Sequence, residues 1–121
     1  MNKLNFNDSA VAGFYTKHDT AVLEVHDVHC EGALVKVVIT VEDYTTLQSD
    51  NGPDSVELED IPTLEMLTDD GNVVVFESTE DSFSTLITWH EYKPLKLHTR
   101  NYKVKGRSLR IDIGAPYADE R

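Results

Sequence analysis

Residue types that bind zinc gather in the N-terminal third of the chain: His18, Asp19, His26, His29 and Cys30. A zinc site needs three or four such ligands at about 2.0–2.3 Å from the ion. His26 and His29 are three residues apart, so on an extended strand they point to opposite faces. They would converge only if a bulge intervened between them. We therefore predict no metal site and no cofactor.

Groups that could act as nucleophiles lack the neighbours that would activate them. Cys30 would need a histidine that is itself oriented by a third group, and no orienting motif surrounds it. The serines lie in no Gly-x-Ser-x-Gly context, and the six glycines form no phosphate-binding loop. We assign no catalytic residue and expect a protein that is not an enzyme.

The distribution of charge is the most distinctive chemical feature of the sequence. The chain has 22 acidic and 11 basic residues, which gives a formal net charge of −11. Between Val37 and Tyr92 there are fourteen Asp or Glu and no Lys or Arg. From Lys93 to Arg110 there are seven Lys or Arg and no acid. Because phosphates repel an acidic surface, we do not expect a nucleic acid partner.

Two interpretations of the acidic segment remain open. Basic strands can pair beside acidic strands and neutralise them, in which case the net charge only aids solubility. Alternatively, the segment presents an acidic face to a basic protein, which speeds association and selects the partner. The residues predicted for that face are nine acids and one aromatic that could anchor a partner. They are Glu42, Asp43, Asp54, Glu57, Glu59, Asp60, Glu65, Asp69, Asp70 and Tyr92.

The elements that must position these residues are predicted to be strands. Residues 20–29 and 33–44 alternate apolar and polar side chains, and Gly32 in the short link between them indicates a turn. This hairpin should bury every second residue from Val35 to Val41. Further predictions are a loop at 45–55, a strand at 56–61, a turn at 69–72 and strands at 73–78, 83–92, 97–104 and 108–114.

About seven or eight strands at spacings of 8–12 residues indicate an all-β or β-rich α+β fold, an antiparallel sandwich or barrel. One short helix could occupy residues 5–15, where Phe6, Ala10 and Phe14 recur at a spacing of four. The length fits a single domain over 1–121. We expect its core to lie within 14–113 and its C-terminal tail, 114–121, to be loose.

The sequence gives no sign of export or membrane insertion. The N-terminal residues contain no apolar segment of the length found in signal peptides. No run approaches the ~18–20 apolar residues of a membrane span. A single cysteine without a partner suits a reducing compartment. We expect a cytoplasmic protein that does not bind membranes.

The order of these segments resembles small β-rich immunity proteins of bacterial contact-dependent growth inhibition and other polymorphic toxin systems. Several of those families begin with an aromatic-His-Asp step that runs into a strand and then a hairpin. Here Phe14 to Asp19 leads into AVLEVHDV and ALVKVVITVEDY, and ITWHEY and LHTRNYKVKGRSLRIDI match the closing strands. The resemblance covers 14–113. It implies a non-enzymatic protein that binds and neutralises a toxin domain, and the acidity favours a basic nuclease as that domain.

Two other functions remain open from the sequence. A small ligand-binding or enzymatic β-barrel would use a pocket lined by His18, His26, His29 or His90. An accessory module of a larger assembly would dock through an exposed edge strand. A deep cavity lined by the histidines would favour the first, and self-association at micromolar concentration would favour the second.

Overall fold

The computed structural model describes residues 4–49, 59–60, 70–92 and 95–119. Within these ranges every strand pairs antiparallel with its neighbours and no helix occurs. This part of the chain therefore has no helix that is long and apolar enough to cross a membrane. The predicted all-β antiparallel fold is confirmed.

The part of the chain that the structure describes contains eleven strands, of which eight have four or more residues. They are β1 (Leu4–Asn5), β2 (Ala10–Lys17), β3 (Thr20–Cys30), β4 (Ala33–Glu42), β5 (Thr46–Ser49), β6 (Glu59–Asp60), β7 (Asp70–Ser78), β8 (Ser82–Tyr92), β9 (Leu95–Lys105), β10 (Ser108–Ile113) and β11 (Ala118–Asp119).

The hairpin of β3 and β4 forms where the alternation of residues predicted it. Its two-residue turn has φ angles of 50° at Glu31 and 85° at Gly32, and a tight hairpin turn of this kind requires positive φ at both positions. The inward-facing residues of β4 are at most 2 % exposed. They are Val35, Val37, Ile39 and Val41.

The strands form a folded sheet in the order β10-β4-β3-β2-β7-β8-β9-β5-β6, in which β1 also pairs with β3 and β11 with β4. The connection between β2 and β7 is narrow, because these strands share only two opposed pairs, Ala10 with Asn72 and Val11 with Gly71. The sheet therefore has two parts, β10-β4-β3-β2 and β7-β8-β9-β5-β6.

The two parts of the sheet face each other across an apolar core, so the fold is sandwich-like. The ring of Phe14 in β2 lies 6.2 Å from that of Phe83 in β8 and 5.0 Å from that of Tyr102 in β9, measured between centroids. Burial of each large apolar side chain contributes about 1.5–3 kcal/mol. The largest fully buried side chains are Phe14, Phe83, Leu23, Ile39, Ile87, Val25, Val28, Val35, Val37, Val41, Val73 and Val104.

The helix predicted within residues 5–15 is wrong, because β2 occupies Ala10–Lys17. An even spacing also recurs on one face of a regular strand, so a spacing of four does not by itself distinguish a helix from a strand. The strand carries a bulge between Val11 and Gly13, which resets the alternation and lets Phe14 enter the core.

The turn predicted at 69–72 is wrong for its described residues, since Asp70, Gly71 and Asn72 belong to β7 and pair with β8. Gly71 serves a packing role. A Cβ atom at this position would lie 2.6 Å from two ring carbons of Trp89, so only glycine leaves space for the indole.

The structure also bears on the predictions for residues 45–55 and 56–61. Within the predicted loop 45–55, Thr46–Ser49 form β5 and pair with β9, because Leu47 enters the core. Of the predicted strand 56–61 the structure describes only Glu59–Asp60, as β6. The remaining residues of both segments lie outside the described ranges.

The C-terminal tail, expected to be loose, contacts the sheet in its described part. Ala118 and Asp119 pair with Leu34 and Ala33 of β4. The hydroxyl of Tyr117 accepts a hydrogen bond from the Asp27 amide and donates one to the Asp27 carboxylate.

Candidate acidic interface

The structure reveals the side-chain environment of two residues in the predicted acidic face, Glu42 and Asp43. Four others, Glu59, Asp60, Asp70 and Tyr92, lie on strands β6, β7 and β8. The rest of the predicted set lies outside the described residues: Asp54, Glu57, Glu65 and Asp69. Glu42 and Asp43 therefore define the described part of the predicted face.

Four chain connections meet at one end of the sandwich, where β4 ends. They are the β2–β3, β4–β5, β7–β8 and β9–β10 links. Backbone hydrogen bonds join them: the Tyr44 amide donates to Asp19, and the Thr45 amide donates to Lys105, at 3.0 and 2.8 Å. The Arg107 amide donates to Glu42 at 2.9 Å. The backbone thus fixes these links relative to one another.

The β7–β8 turn joins the same end through two more backbone hydrogen bonds. The Gly106 amide donates to the Asp81 carbonyl at 2.9 Å, and the Leu109 amide donates to the Glu80 carbonyl at 3.1 Å. Five carboxylate residues consequently lie around these links, and we call them the acidic end. They are Asp19, Glu42, Asp43, Glu80 and Asp81.

Arg107 bridges the two predicted residues of the acidic end. Its Nε lies 2.6 Å from Oδ2 of Asp43, and its Nη2 lies 3.0 Å from Oε2 of Glu42. The pKa of Arg107 is raised above its usual value, first by the hydrogen bond from its guanidinium to Asp43. Arg110 approaches Glu42 more distantly, at 3.5 Å. The neutralising interpretation therefore holds for Glu42 and Asp43.

The other three carboxylates of the acidic end have no such partner. In the part of the chain that the structure describes, no ion pair reaches Asp19, Glu80 or Asp81. Asp19 and Glu80 are exposed, and Asp81 is half-buried and accepts a hydrogen bond from the Thr79 hydroxyl. Sequence reasoning counted Glu80 and Asp81 in the acidic segment without assigning them to the interface. Their backbone hydrogen bonds to Leu109 and Gly106 bring them to the same end of the sheet as Asp43.

Two residues at this end adopt backbone angles that L residues rarely take. Asp43 has a φ of 50° where β4 ends, and His18 has a φ of 55° in the β2–β3 turn. Aspartate and histidine tolerate this region better than most residues. At Asp43 this conformation ends the strand and directs the chain across to β5.

The histidines and Cys30 do not converge on a common point. A bulge does intervene between Val25 and Val28, at Asp27 with its φ of 59°. His26 is exposed there, whereas His29 and Cys30 are half-buried. His18 lies eight residues before His26 along β3, roughly 26 Å away at strand spacing. Among the described residues, no group of three or more His, Cys, Asp or Glu could hold a metal ion.

The described hollows are lined by residues of β7, β8 and β9 and of the β7–β8 turn. One, of about 230 Å³, is lined by Val75, Glu77, Ser84, Leu86 and Asn101, among others. A second, of about 300 Å³, adjoins it near Lys103. Neither is lined by His18, His26, His29 or His90, so neither is the histidine-lined pocket that a ligand-binding barrel would need.

A separate polar group covers the outer face of β2, β3 and β4. The Tyr15 hydroxyl bonds to Glu24, and Nζ of Lys36 lies 3.4 Å from Oε1 of the same carboxylate. The pKa of Tyr15 is raised, first by partial burial and then by the negative charge of Glu24. The pKa of Tyr117 is raised by partial burial and by its hydrogen bond to Asp27.

No protein-family model, curated protein or solved structure matches this chain. Its function must therefore be inferred from its own residues.

Proposed function

We propose that this chain is a non-enzymatic bacterial immunity protein that binds a basic toxin domain through its acidic end and blocks it. The observation that carries this proposal is the set of carboxylates Asp19, Glu80 and Asp81, whose links lie at the same end of the sheet and which form no ion pair in the described part of the chain. The proposal includes a cytoplasmic location, where the toxin domain would be met.

The position of the acidic end supports a binding role. Links between strands at one end of a rigid sandwich commonly bind partner molecules, because the scaffold holds the links in place while their side chains vary. Here Tyr44, Gly106 and Arg107 connect the links through backbone hydrogen bonds. The carboxylates would therefore meet a partner with little loss of backbone entropy.

The chemistry of the acidic end fits a partner that binds phosphates. A nuclease presents Lys and Arg where the nucleic acid backbone binds, and carboxylates from an inhibitor can bind these same basic residues. Opposite charges also accelerate encounter, with a strong dependence on salt. Arg107 would hold Glu42 and Asp43 in fixed orientations while Glu80 and Asp81 remain available to the partner.

The test uses the protein encoded by the gene immediately upstream, produced as its C-terminal domain and mixed with this chain. Growth protection on co-expression establishes neutralisation, and stopped-flow mixing at several salt concentrations gives the association rate. We expect Glu80→Lys to slow association several-fold at low salt, with a smaller effect at high salt.

The matched control is Glu31→Lys, which makes the same charge change in the exposed β3–β4 turn. Glu42 lies at the opposite end of β4 from this turn, roughly 30 Å away at strand spacing. Equal slowing by both variants would mean that only net charge matters, and the acidic end would then not be the interface. Failure of the upstream domain to bind or to be neutralised would overturn the immunity proposal.

A further inference from the structure

Strand β10 is an edge of the sheet within the described residues, because its one neighbouring long strand there is β4. The Gly114 amide donates to the Lys36 carbonyl on the β4 side at 2.7 Å. The Leu109 amide donates to the opposite side, to Glu80. Since these directions alternate along a strand, Ile111 directs its N–H and C=O away from β4. No described strand pairs with this edge.

The side chains of β10 alternate in character as well as direction. Leu109, Ile111 and Ile113 are half-buried and pack against the core. Arg110 and Asp112 are exposed, and Nε of Arg110 lies 2.9 Å from Oδ2 of Asp112. The strand therefore runs apolar, positive, apolar, negative, apolar. This order is complementary to itself when a second copy runs in the opposite direction.

We propose that β10 pairs with β10 of a second copy of this chain, antiparallel about a two-fold axis at Ile111. Ile111 then exchanges both backbone hydrogen bonds with the partner's Ile111. Arg110 lies opposite the partner's Asp112, and Asp112 opposite the partner's Arg110. The Leu109 amide stays bound to Glu80, which occupies this edge at Leu109, so the pairing is confined to residues 110–112 of each copy.

Charge selects this register over its neighbours. A shift of one step in either direction places Arg110 opposite the partner's Arg110, or Asp112 opposite the partner's Asp112, and like charges opposite each other destabilise a strand pair. Charged residues on an edge strand ordinarily hinder pairing with other chains. Here the same two charges permit pairing with one sequence in one register, which is the condition for a symmetric dimer. The dimer does not rest on the proposed function, but β10 adjoins the acidic end through the contacts of Leu109 with Glu80 and of Arg110 with Glu42.

The decisive test compares single charge reversals with their mixture. Arg110→Asp and Asp112→Arg each place like charges across the two-fold axis, so each variant alone should dimerise at least roughly tenfold more weakly than the wild type. An equimolar mixture of R110D and D112R places opposite charges at both positions and should restore association. Sedimentation velocity from about 1 to 500 μM measures each case.

A second variant tests the backbone hydrogen bonds of the proposed dimer. Ile111→Pro removes an N–H that points away from β4, so the ladder to β4 is retained while the central bonds of the dimer are lost. Circular dichroism and thermal unfolding confirm that each variant remains folded. A wild-type chain that stays monomeric at the highest concentration would overturn the proposal. Equal dimerisation of the two single variants and the wild type would overturn the register.

Discussion

Trp89 donates its indole N–H to the hydroxyl oxygen of Tyr102 across 2.8 Å, inside the core. The two residues are not opposite each other in the strand register, because Trp89 pairs with His98 and Tyr102 with Thr85. The ring of Tyr102 also makes a T-shaped contact with the ring of Phe14, which belongs to the facing part of the sheet. One side chain thus joins β8, β9 and β2 and satisfies the indole donor of the single tryptophan in the chain.

Loss of this acceptor should destabilise the fold. In Tyr102→Phe the ring remains, but the buried Trp89 N–H loses its partner, which costs about 1–3 kcal/mol of unfolding free energy. Urea unfolding followed by tryptophan fluorescence measures the change. Tyr44→Phe is the control, since it removes the same atom from a half-buried ring at the core margin. A similar loss in both variants would show that the hydrogen bond has no special weight.

Gly71→Ala should also destabilise the protein, by about 1–3 kcal/mol, because overpacking forces the core to shift. The added methyl group would lie 2.6 Å from Cε3 and Cζ3 of Trp89. Thermal unfolding gives the change, and Val74→Ala, at a 42 % exposed position of the same strand, is the control. An unaltered midpoint for Gly71→Ala would mean that Trp89 moves aside freely.

The sequence predicts most of the strands because the alternation of inward and outward side chains can be recognised within each strand segment alone. Phe83, Thr85, Ile87 and Trp89 are all buried, as the period of two requires. The turn predicted at Gly71 was wrong because glycine is common in turns, and nothing local shows that a tryptophan eighteen residues away needs its space. The pairing of strands decides that point.

The candidate interface was less predictable for the same reason. The charge count marks Glu42 and Asp43, but their bridge to Arg107 joins residues 64 and 65 positions apart. The nearness of Glu80 and Asp81 depends on backbone bonds from Gly106 and Leu109. Such contacts follow from topology, which a single sequence constrains weakly.

Arg107 offers a prediction about the proposed interface. Arg107→Gln removes the cation that neutralises Glu42 and Asp43, so association with a basic toxin domain should become faster at low salt. The ion pairs are exposed, so stability should change little. Lys36→Gln, the same charge change six residues along β4 from Glu42, should affect the rate less. A slower rate for Arg107→Gln would instead indicate that Arg107 itself contacts the partner.

The tyrosine contacts predict that stability falls in alkaline solution. Tyr117 bonds to Asp27, and its pKa in the folded protein is raised above the value of about 10 expected in the unfolded chain. A raised folded-state pKa means that the neutral hydroxyl is favoured by folding. Its contribution is complete below pH ~10 and is lost as the pH rises through the folded-state pKa.

The variant Tyr117→Phe should therefore unfold more easily than the wild type near pH 8 and show a shallower loss of stability above pH ~10. Part of the pH dependence should remain, because the pKa of Tyr15 beside Glu24 is raised as well. Urea unfolding at intervals from pH 8 to pH 11 measures both effects, and the two chains differ only at position 117. Curves of unfolding free energy against pH that run parallel for the two proteins would contradict this prediction. The Tyr117–Asp27 contact would then not distinguish the neutral from the ionised hydroxyl, and pairing with β4 alone would hold the tail to the sheet.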